Sequence, residues 1–568
     1  MNTNDTTQTK RWLKQLARRG GQWQKLAKLA AVVQALMIVL QAWLLAQLLH
    51  LVIIEGQSAD ELLSLFALAA MAVVLRYTAA WCREASAVKA SQSVQQSLRQ
   101  ELIDRLYQLG PSWRSKQRGG QLVSQLQEQV AGIDGYLSKY VPQMGLIMTV
   151  PILVLLATVP LSWVATLIFL STLPLIPVFM ILVGWKARDK QIEQQQQLAR
   201  MSGHFLDQLR GLTTLQLFNR QHQQAAVIAD VSEQFRLRTM SVLRLAFLSS
   251  TVLEFFASIS IALIAVYLGF SFLGYFNFGL YGQPLTLSTA FFILLLAPEF
   301  YLPLRELGSH YHAKAEAEAA AEQLLPWLNA TSEQIKGGVK TPPASAVSLT
   351  LKAIDFAYGN DNTLLKKANL SLAAGKTTVL VGASGSGKTT VLRLLLGQLT
   401  PQGGSVVIGG TPLDELDMPA WRDCIGWMSQ HPHLLADTLR ANLQLALSDS
   451  SDADDEVLIN ALQTVELTTW FEQLPEGLDT LLGENGRQLS GGQLRRLALA
   501  RVVLSNAKIL LFDEPTASLD EDLEQQLLKP MRELCRDKTV LILTHRRAPL
   551  KLADKVVRIE DGQFLSDE

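Results

Sequence analysis

The chain has 568 residues, 49% of them apolar, with 51 basic and 51 acidic side chains and a formal net charge of zero. That length exceeds a single domain, and the balanced charge excludes a partner held by bulk electrostatics, nucleic acid above all. Three cysteines, Cys82, Cys424 and Cys535, lie too far apart for a disulfide framework or a metal knuckle and read as ordinary thiols.

Residues 1–28 are polar and carry seven Lys and Arg. No cleavable signal peptide is expected, because the apolar run that follows is too long for a signal core. A bilayer core takes roughly 20 apolar helical residues, and six segments reach that length, at about 29–54, 62–82, 140–160, 163–185, 246–272 and 286–308. The third and fourth are separated only by "PLSW", which predicts a tight helical hairpin. Pro151, Pro174 and Pro177 fall inside spans, where neighbouring helices satisfy the freed backbone groups.

Residues 83–139 hold eight Lys and Arg and residues 186–244 hold nine, whereas 55–61, 160–162 and 273–285 hold none. The positive-inside rule therefore places both termini and the two long loops in the cytosol. Apolar residues recur at helical spacing through both loops, which predicts that the spanning helices run on well past the membrane. Gly110-Pro111 breaks that pattern in the first loop and predicts a turn into a short helix; Gly211 lies in the comparable part of the second.

Charges inside spans are costly and face a cavity or a partner. Arg76, Glu254 and Glu299 all fall in the inner-leaflet half by helical rise. Two readings stand: they line an inward-facing cavity for a polar or zwitterionic solute, or they pair with other residues and pack helices.

After a Gly-, Pro- and Ser-rich stretch at 326–346, alternating strand patterns begin at Val347. "KTTVLVGASGSGKTT" reads as a buried strand, a turn and a helix start, the context of a P-loop. Gly382, Ala383, Ser384, Gly385, Ser386, Gly387, Lys388, Thr389 and Thr390 then form a nucleotide-binding segment, its backbone N–H groups facing phosphate. Lys388 is predicted to reach the β- and γ-phosphates, and the Thr389 hydroxyl to ligate Mg²⁺. "KILLFDEP" is a second buried strand, its Asp513 suited to the magnesium shell and its Glu514 to polarising a water. A third strand, "TVLILTHR", brings His545 to the γ-phosphate, and "IGWMSQ" brings Gln430 to a strand end where an amide senses both metal and phosphate. Tyr358 offers a ring for adenine to stack on.

"LSGGQLRRLALAR" presents a second Gly-rich helix start, Leu489, Ser490, Gly491, Gly492 and Gln493, followed by Arg495, Arg496 and Arg501. It reads as another anion-binding terminus. Since one nucleotide already has its P-loop, this terminus is expected to close over ATP held by a second subunit.

Together these motifs resemble those of ATP-binding-cassette (ABC) exporters, over essentially the whole chain. The resemblance implies a membrane α-helical domain of six transmembrane helices, of type I exporter kind, at 29–325 after a cytosolic segment 1–28. A linker at 326–346 and an α/β P-loop nucleotide-binding domain at 347–568 would follow. It further implies an ATP hydrolase coupled to transport, with two cassettes sandwiching two ATPs. "TASLD" resembles the family's D-loop, ending in Asp520, with Ala and Ser exchanged against the usual order; "GENGRQLSGGQ" has Asn485 where a basic residue is frequent.

"LAPEFYLPLRELGSHYHAKAEAEAAAEQL" narrows the likeness to the bacterial heterodimeric CydDC exporters, needed for cytochrome bd assembly. Membership there implies an inner-membrane protein, a related CydC-like partner subunit, and reduced thiols (cysteine, glutathione) or haem as cargo. His310, Tyr311 and His312 end the sixth span; Tyr311 and His312 are either contacts for haem b in the membrane domain or an interfacial Tyr and a solvated His. A homodimeric lipid or multidrug exporter and an ATP-gated channel stand as the rival functions.

Overall fold

A computed structural model describes residues 3–58, 60–117, 119–175, 178, 211–276, 278–343, 345–358, 363–447, 454–483, 486, 488–517, 519 and 521–567. The chain divides into two compact units, Met1–Arg105 with Arg118–Ala330, and Leu106–Gln117 with Thr331–Glu568.

The first unit is helical. Its elements are α1 (Thr3–Arg18), α2 (Gly21–Ile53), α3 (Leu63–Ser115), α4 (Leu122–Thr158), α5 (Trp163–Thr172), α6 (Gln221–Phe272) and α7 (Leu287–Asn329), with the end of α3 counted in the second unit. Helices α2, α3, α4, the Glu254–Phe272 part of α6, and α7 are each long and apolar enough to cross a bilayer. Helix α5 starts the fourth span, whose remainder, Pro177 included, lies largely outside the described residues, as do residues 186–210 of the second cytosolic loop.

Alanine spacing explains how these helices approach. Ala31, Ala35, Ala42 and Ala46 form one buried stripe along α2, and small side chains let helix backbones come close where lipid supplies no hydrophobic drive. The larger side chains Val154, Phe169, Ile293, Leu296 and Phe300 fill the same core. The "PLSW" hairpin forms as expected: Ser162 caps α5, its Oγ accepting from Ala165 N at 3.3 Å.

The first long loop begins as helix. Helix α3 runs 53 residues, and Gly110, at φ 75°, ψ −176°, breaks it; a φ that positive favours glycine. Helix α4 carries two π-helical turns, Gln125–Gln129 and Tyr136–Tyr140, on its approach to the third span.

The second unit is α/β. A four-stranded antiparallel sheet has the order β2-β1-β4-β5, from β1 (Leu349–Phe356), β2 (Leu365–Leu372), β4 (Gly403–Ile408) and β5 (Thr411–Pro412). A six-stranded sheet has the order β10-β9-β3-β8-β7-β6. It comprises β3 (Thr377–Gly382), β6 (Ile425–Met428), β7 (Ile509–Asp513), β8 (Thr539–Thr544), β9 (Lys555–Glu560) and β10 (Gln563–Asp567). All its neighbours pair in parallel except β9 with β10. The runs "ILLFD" and "TVLILT" are buried at every position, as strands covered on both faces require.

Residues 326–346 differ from a free linker. Helix α7 carries on to Asn329, and from Thr331 the chain folds with the α/β unit. Its backbone finds partners there: Ile335 N donates to Gly397 O at 3.0 Å and Gly338 N to Leu416 O at 2.8 Å.

Candidate active site

Parallel sheets place ligand chemistry at the carboxyl ends of their strands, and the predicted residues gather there. Strand β3 ends at Gly382, and the turn that follows reaches α8 (Lys388–Leu395) through Gly387, the N-cap, at φ 105°. Lys388 is buried, its Nζ donating to the carbonyls of Gly382 and Ala383 at 2.8 Å each. That stations an ammonium inside the loop. Ser386 Oγ is buried without a protein partner, an unmet polar group of the kind a phosphate oxygen would satisfy.

From the neighbouring strand ends come the acidic groups. Asp513, the last residue of β7, is buried and lies 3.5 Å from the Thr389 hydroxyl, which donates to it. Burial pushes its carboxyl above the usual range, and the Thr389 hydrogen bond opposes that shift in part. Glu514 follows at φ 50°, a left-handed conformation rare for a non-glycine residue. Such backbone strain persists where the surroundings impose it. Here Gln430 Nε2 donates to one Glu514 oxygen at 2.9 Å, and His545 Nδ1 lies 3.0 Å from the other. One carboxylate thus gathers the ends of β6, β7 and β8 into a single cluster.

Tyr358 stands half-exposed just past β1, its hydroxyl 3.2 Å from that of Thr390 and its ring edge-on to Phe356. Beside the P-loop lies a cavity of about 760 Å³, lined by Gly382–Ser386, Thr363, Leu364, Lys366, His545 and Arg558 among others. Leu364, Lys366 and Arg558 carry no motif, and only the pairing of β3 with β9, and β10 beside β2, brings them to the loop.

Leu489, Ser490, Gly491, Gly492 and Gln493 open α9 (Gly491–Leu504). Ser490 Oγ accepts from Gln493 N at 3.2 Å while Gln493 Oε1 accepts from Ser490 N at 3.0 Å, a capping box. Gly491 is exposed, and a Cβ there would meet nothing within 4 Å. The chain's own packing therefore does not demand this glycine. The helix arginines correct the expectation of a basic anion-facing surface. Arg501 donates to the Asn442 and His433 carbonyls and Arg496 to the Glu466 carbonyl, so both brace the cassette internally. Burial lowers the Arg495 guanidinium below its usual range, with Arg546 adding to the effect. Asp520 and Asn485 lie outside the described residues.

The three charges predicted inside spans, Arg76, Glu254 and Glu299, are each paired. Arg76 Nη2 lies 2.8 Å from both carboxylate oxygens of Glu299, and Arg76 Nη1 donates to Gln41 Oε1 at 3.1 Å, joining α3, α7 and α2. Glu254 of α6 meets Arg305 of α7 at 3.3 Å, both exposed. Gln41 carried no distinguishing signal in the sequence, being one of three amides, with Gln34 and Gln47, in the span at 29–54. Tyr311 lies under the Lys314 ammonium, 5.7 Å from ring centre, and the same ammonium lies 5.6 Å from Tyr140; His312 follows it on α7. Cys535 is buried and its thiol pushed up to about 12, inert as expected. Among the described residues no group of three or more His, Cys, Asp or Glu is arranged to hold a metal. A magnesium site built from one hydroxyl, one carboxylate and phosphate oxygens needs no such group.

Residues 26–297 match the family model "ABC transporter transmembrane region" and residues 365–517 the model "ABC transporter". A membrane domain joined to a P-loop cassette in one chain defines an ABC half-transporter, and the chain belongs to that family, coupling ATP hydrolysis to transport.

Within it the chain resembles CydD. It is 40% identical to the glutathione/L-cysteine transport system ATP-binding/permease protein CydD of Escherichia coli, over 100% of this chain and 96% of that one. It is likewise 40% identical to the transport ATP-binding protein AarD of Providencia stuartii, with the same coverage. The glutathione/L-cysteine transport protein CydC of Bacillus subtilis is 32% identical over 94% of this chain and 91% of its own length.

Proposed function

We propose that this chain is one half of a heterodimeric exporter of the bacterial inner membrane, with both termini and the cassette in the cytosol. Driven by ATP, it moves glutathione or cysteine outward in support of cytochrome bd assembly. Whole-length likeness to CydD supports the cargo, and likeness to CydC supports a related but distinct partner. The observation that carries the ATP-driven half is Glu514, held between Gln430 and His545 at the strand ends beside the P-loop.

In this reading Gly382 through Thr390 cradle the phosphates, Lys388 neutralises them and Tyr358 stacks on adenine. Thr389, Gln430 and Asp513 hold Mg²⁺, which when bound offsets phosphate charge. Glu514 accepts a proton from the attacking water, and His545 orients Glu514 and touches the γ-phosphate. Leu489 through Gln493 close over the partner's nucleotide, and Asp520 meets the partner nearby. Two composite sites then form only when two cassettes meet, and helices continuous with the spans carry that closure to the membrane.

Asp513 gives a test with a defined sign. Its raised pKa means that the buried charged form lowers stability, so this penalty is absent at low pH and grows as pH rises through the folded-state value. Asp513→Asn is expected to keep or raise the unfolding midpoint of the nucleotide-free protein at neutral pH, and to abolish the extra stabilisation that Mg²⁺ adds to ATP. A variant that still gains as much from Mg²⁺ removes Asp513 from the metal shell.

Haem is the second cargo reading, with Tyr311 and His312 as candidate contacts. Inverted vesicles carrying this chain with and without a CydC-like subunit separate the readings. ATP-dependent glutathione uptake is expected only with both subunits. Equal uptake by this chain alone means a homodimer, and uptake of haem in place of glutathione reassigns the cargo; an unaltered Soret band on haem titration of His312→Ala then removes His312.

A further inference from the structure

The chain passes between its two units at residues 105/106, 117/118 and 330/331. Around those crossings it is tied to itself. On the helical side, Arg105 of α3 donates to the Ala330 carbonyl at the exit of α7. On the α/β side, Lys116 pairs with Glu333, both partly exposed. Gly110 lies so close to Gln334 that a Cβ there would land on the amide. Gln334 is itself held, its Oε1 accepting from Arg422 Nη2 at 3.2 Å.

The elbow after Gly110 and the strap after Ala330 converge on one turn, residues 397–400, which follows the C-terminal end of the P-loop helix α8. Buried Ser112 donates from Oγ to Gln398 O at 3.0 Å. Ile335 N donates to Gly397 O at 3.0 Å, and Thr400 Oγ1 to Glu333 O at 2.9 Å. Strap and elbow therefore grip adjacent residues of the turn and also grip each other.

We propose that Lys116, Glu333 and Gln334 form a clasp that makes the strap and the elbow move as one body with the α8 turn. The strap becomes a second transmission arm between the P-loop and the spans, and the three residues are positioning residues for coupling. This rests on the ATP-driven transport reading for its consequence, but the clasp itself is a property of the α/β unit.

An exposed ion pair adds little global stability, so its variants should fold, and a purely structural role would leave coupling untouched. The full chain, co-expressed with a CydC-like subunit, is compared as Lys116→Glu, Glu333→Lys and the double reversal. Each single variant is expected to exchange amide hydrogens in residues 106–117 about two- to fivefold faster, because like charges now face each other. Glutathione moved per ATP hydrolysed should fall by a similar factor, and the double reversal should restore both. Unchanged exchange in the single variants overturns the clasp. Faster exchange with undiminished flux per ATP overturns its part in transmission. A parent complex that moves no glutathione overturns the export reading instead, and the exchange measurement then decides the clasp by itself.

Discussion

Glu514→Gln is expected to retain ATP binding and to lower hydrolysis by about 10²–10⁴-fold, the usual worth of a positioned base. The carboxylate accepts from Gln430 on one oxygen and faces His545 on the other, at 2.9 and 3.0 Å. An amide of the same shape keeps one acceptor and presents a donor in place of the other, and it takes no proton from water. The left-handed backbone at Glu514 is unchanged by the substitution, so loss of rate reports chemistry and not misfolding. Nucleotide binding by fluorescence and phosphate release measured on one preparation check both halves of the expectation. Hydrolysis within about threefold of the parent would move the base elsewhere. In the composite site proposed above, the size of the effect also depends on the partner's signature segment.

The second large effect is expected in the membrane unit. Arg76→Ala strands the Glu299 carboxylate, which is only 22% exposed, among apolar helices. Breaking a buried pair on one side costs about 3–5 kcal/mol, whereas replacing both members by apolar residues of similar volume is often neutral. The double variant Arg76→Met, Glu299→Leu should therefore unfold in denaturant close to the parent, and the single variant well below it. Gln41 loses its partner in both, a smaller and shared term. If single and double variants unfold alike, the two charges act independently and the cavity-lining reading of Arg76 and Glu299 regains ground. Glu254 and Arg305, both exposed, should contribute far less by the same measurement.

Motifs were legible where local chemistry is strict. A P-loop needs glycines at fixed offsets between a buried strand and a helix, and Gly382 to Thr390 occupy that context. Six apolar runs and the Lys and Arg of alternate loops need only hydropathy to be read. The helix arginines were misread, because charge alone does not say which way a guanidinium turns; Arg501 is satisfied by carbonyls of residues far away in sequence. How the stretch 326–346 packs was hidden for a related reason. Gly and Pro mark it as lacking its own periodic structure, yet Ile335 N, Gly338 N and Lys340 N find acceptors at residues 397, 416 and 415, which no local pattern announces.

The order of residues by itself determined the class of protein, the membrane segments and the identity of the phosphate-binding loops, because each follows from composition and spacing within one short segment. Only the tertiary structure decided that Arg76 meets Glu299, that Glu514 gathers Gln430 and His545, and that the strap clasps the elbow. Those contacts join positions tens to hundreds of residues apart, so they depend on strand order and helix packing, which satisfy many partners at once and leave no signature in any one window of sequence.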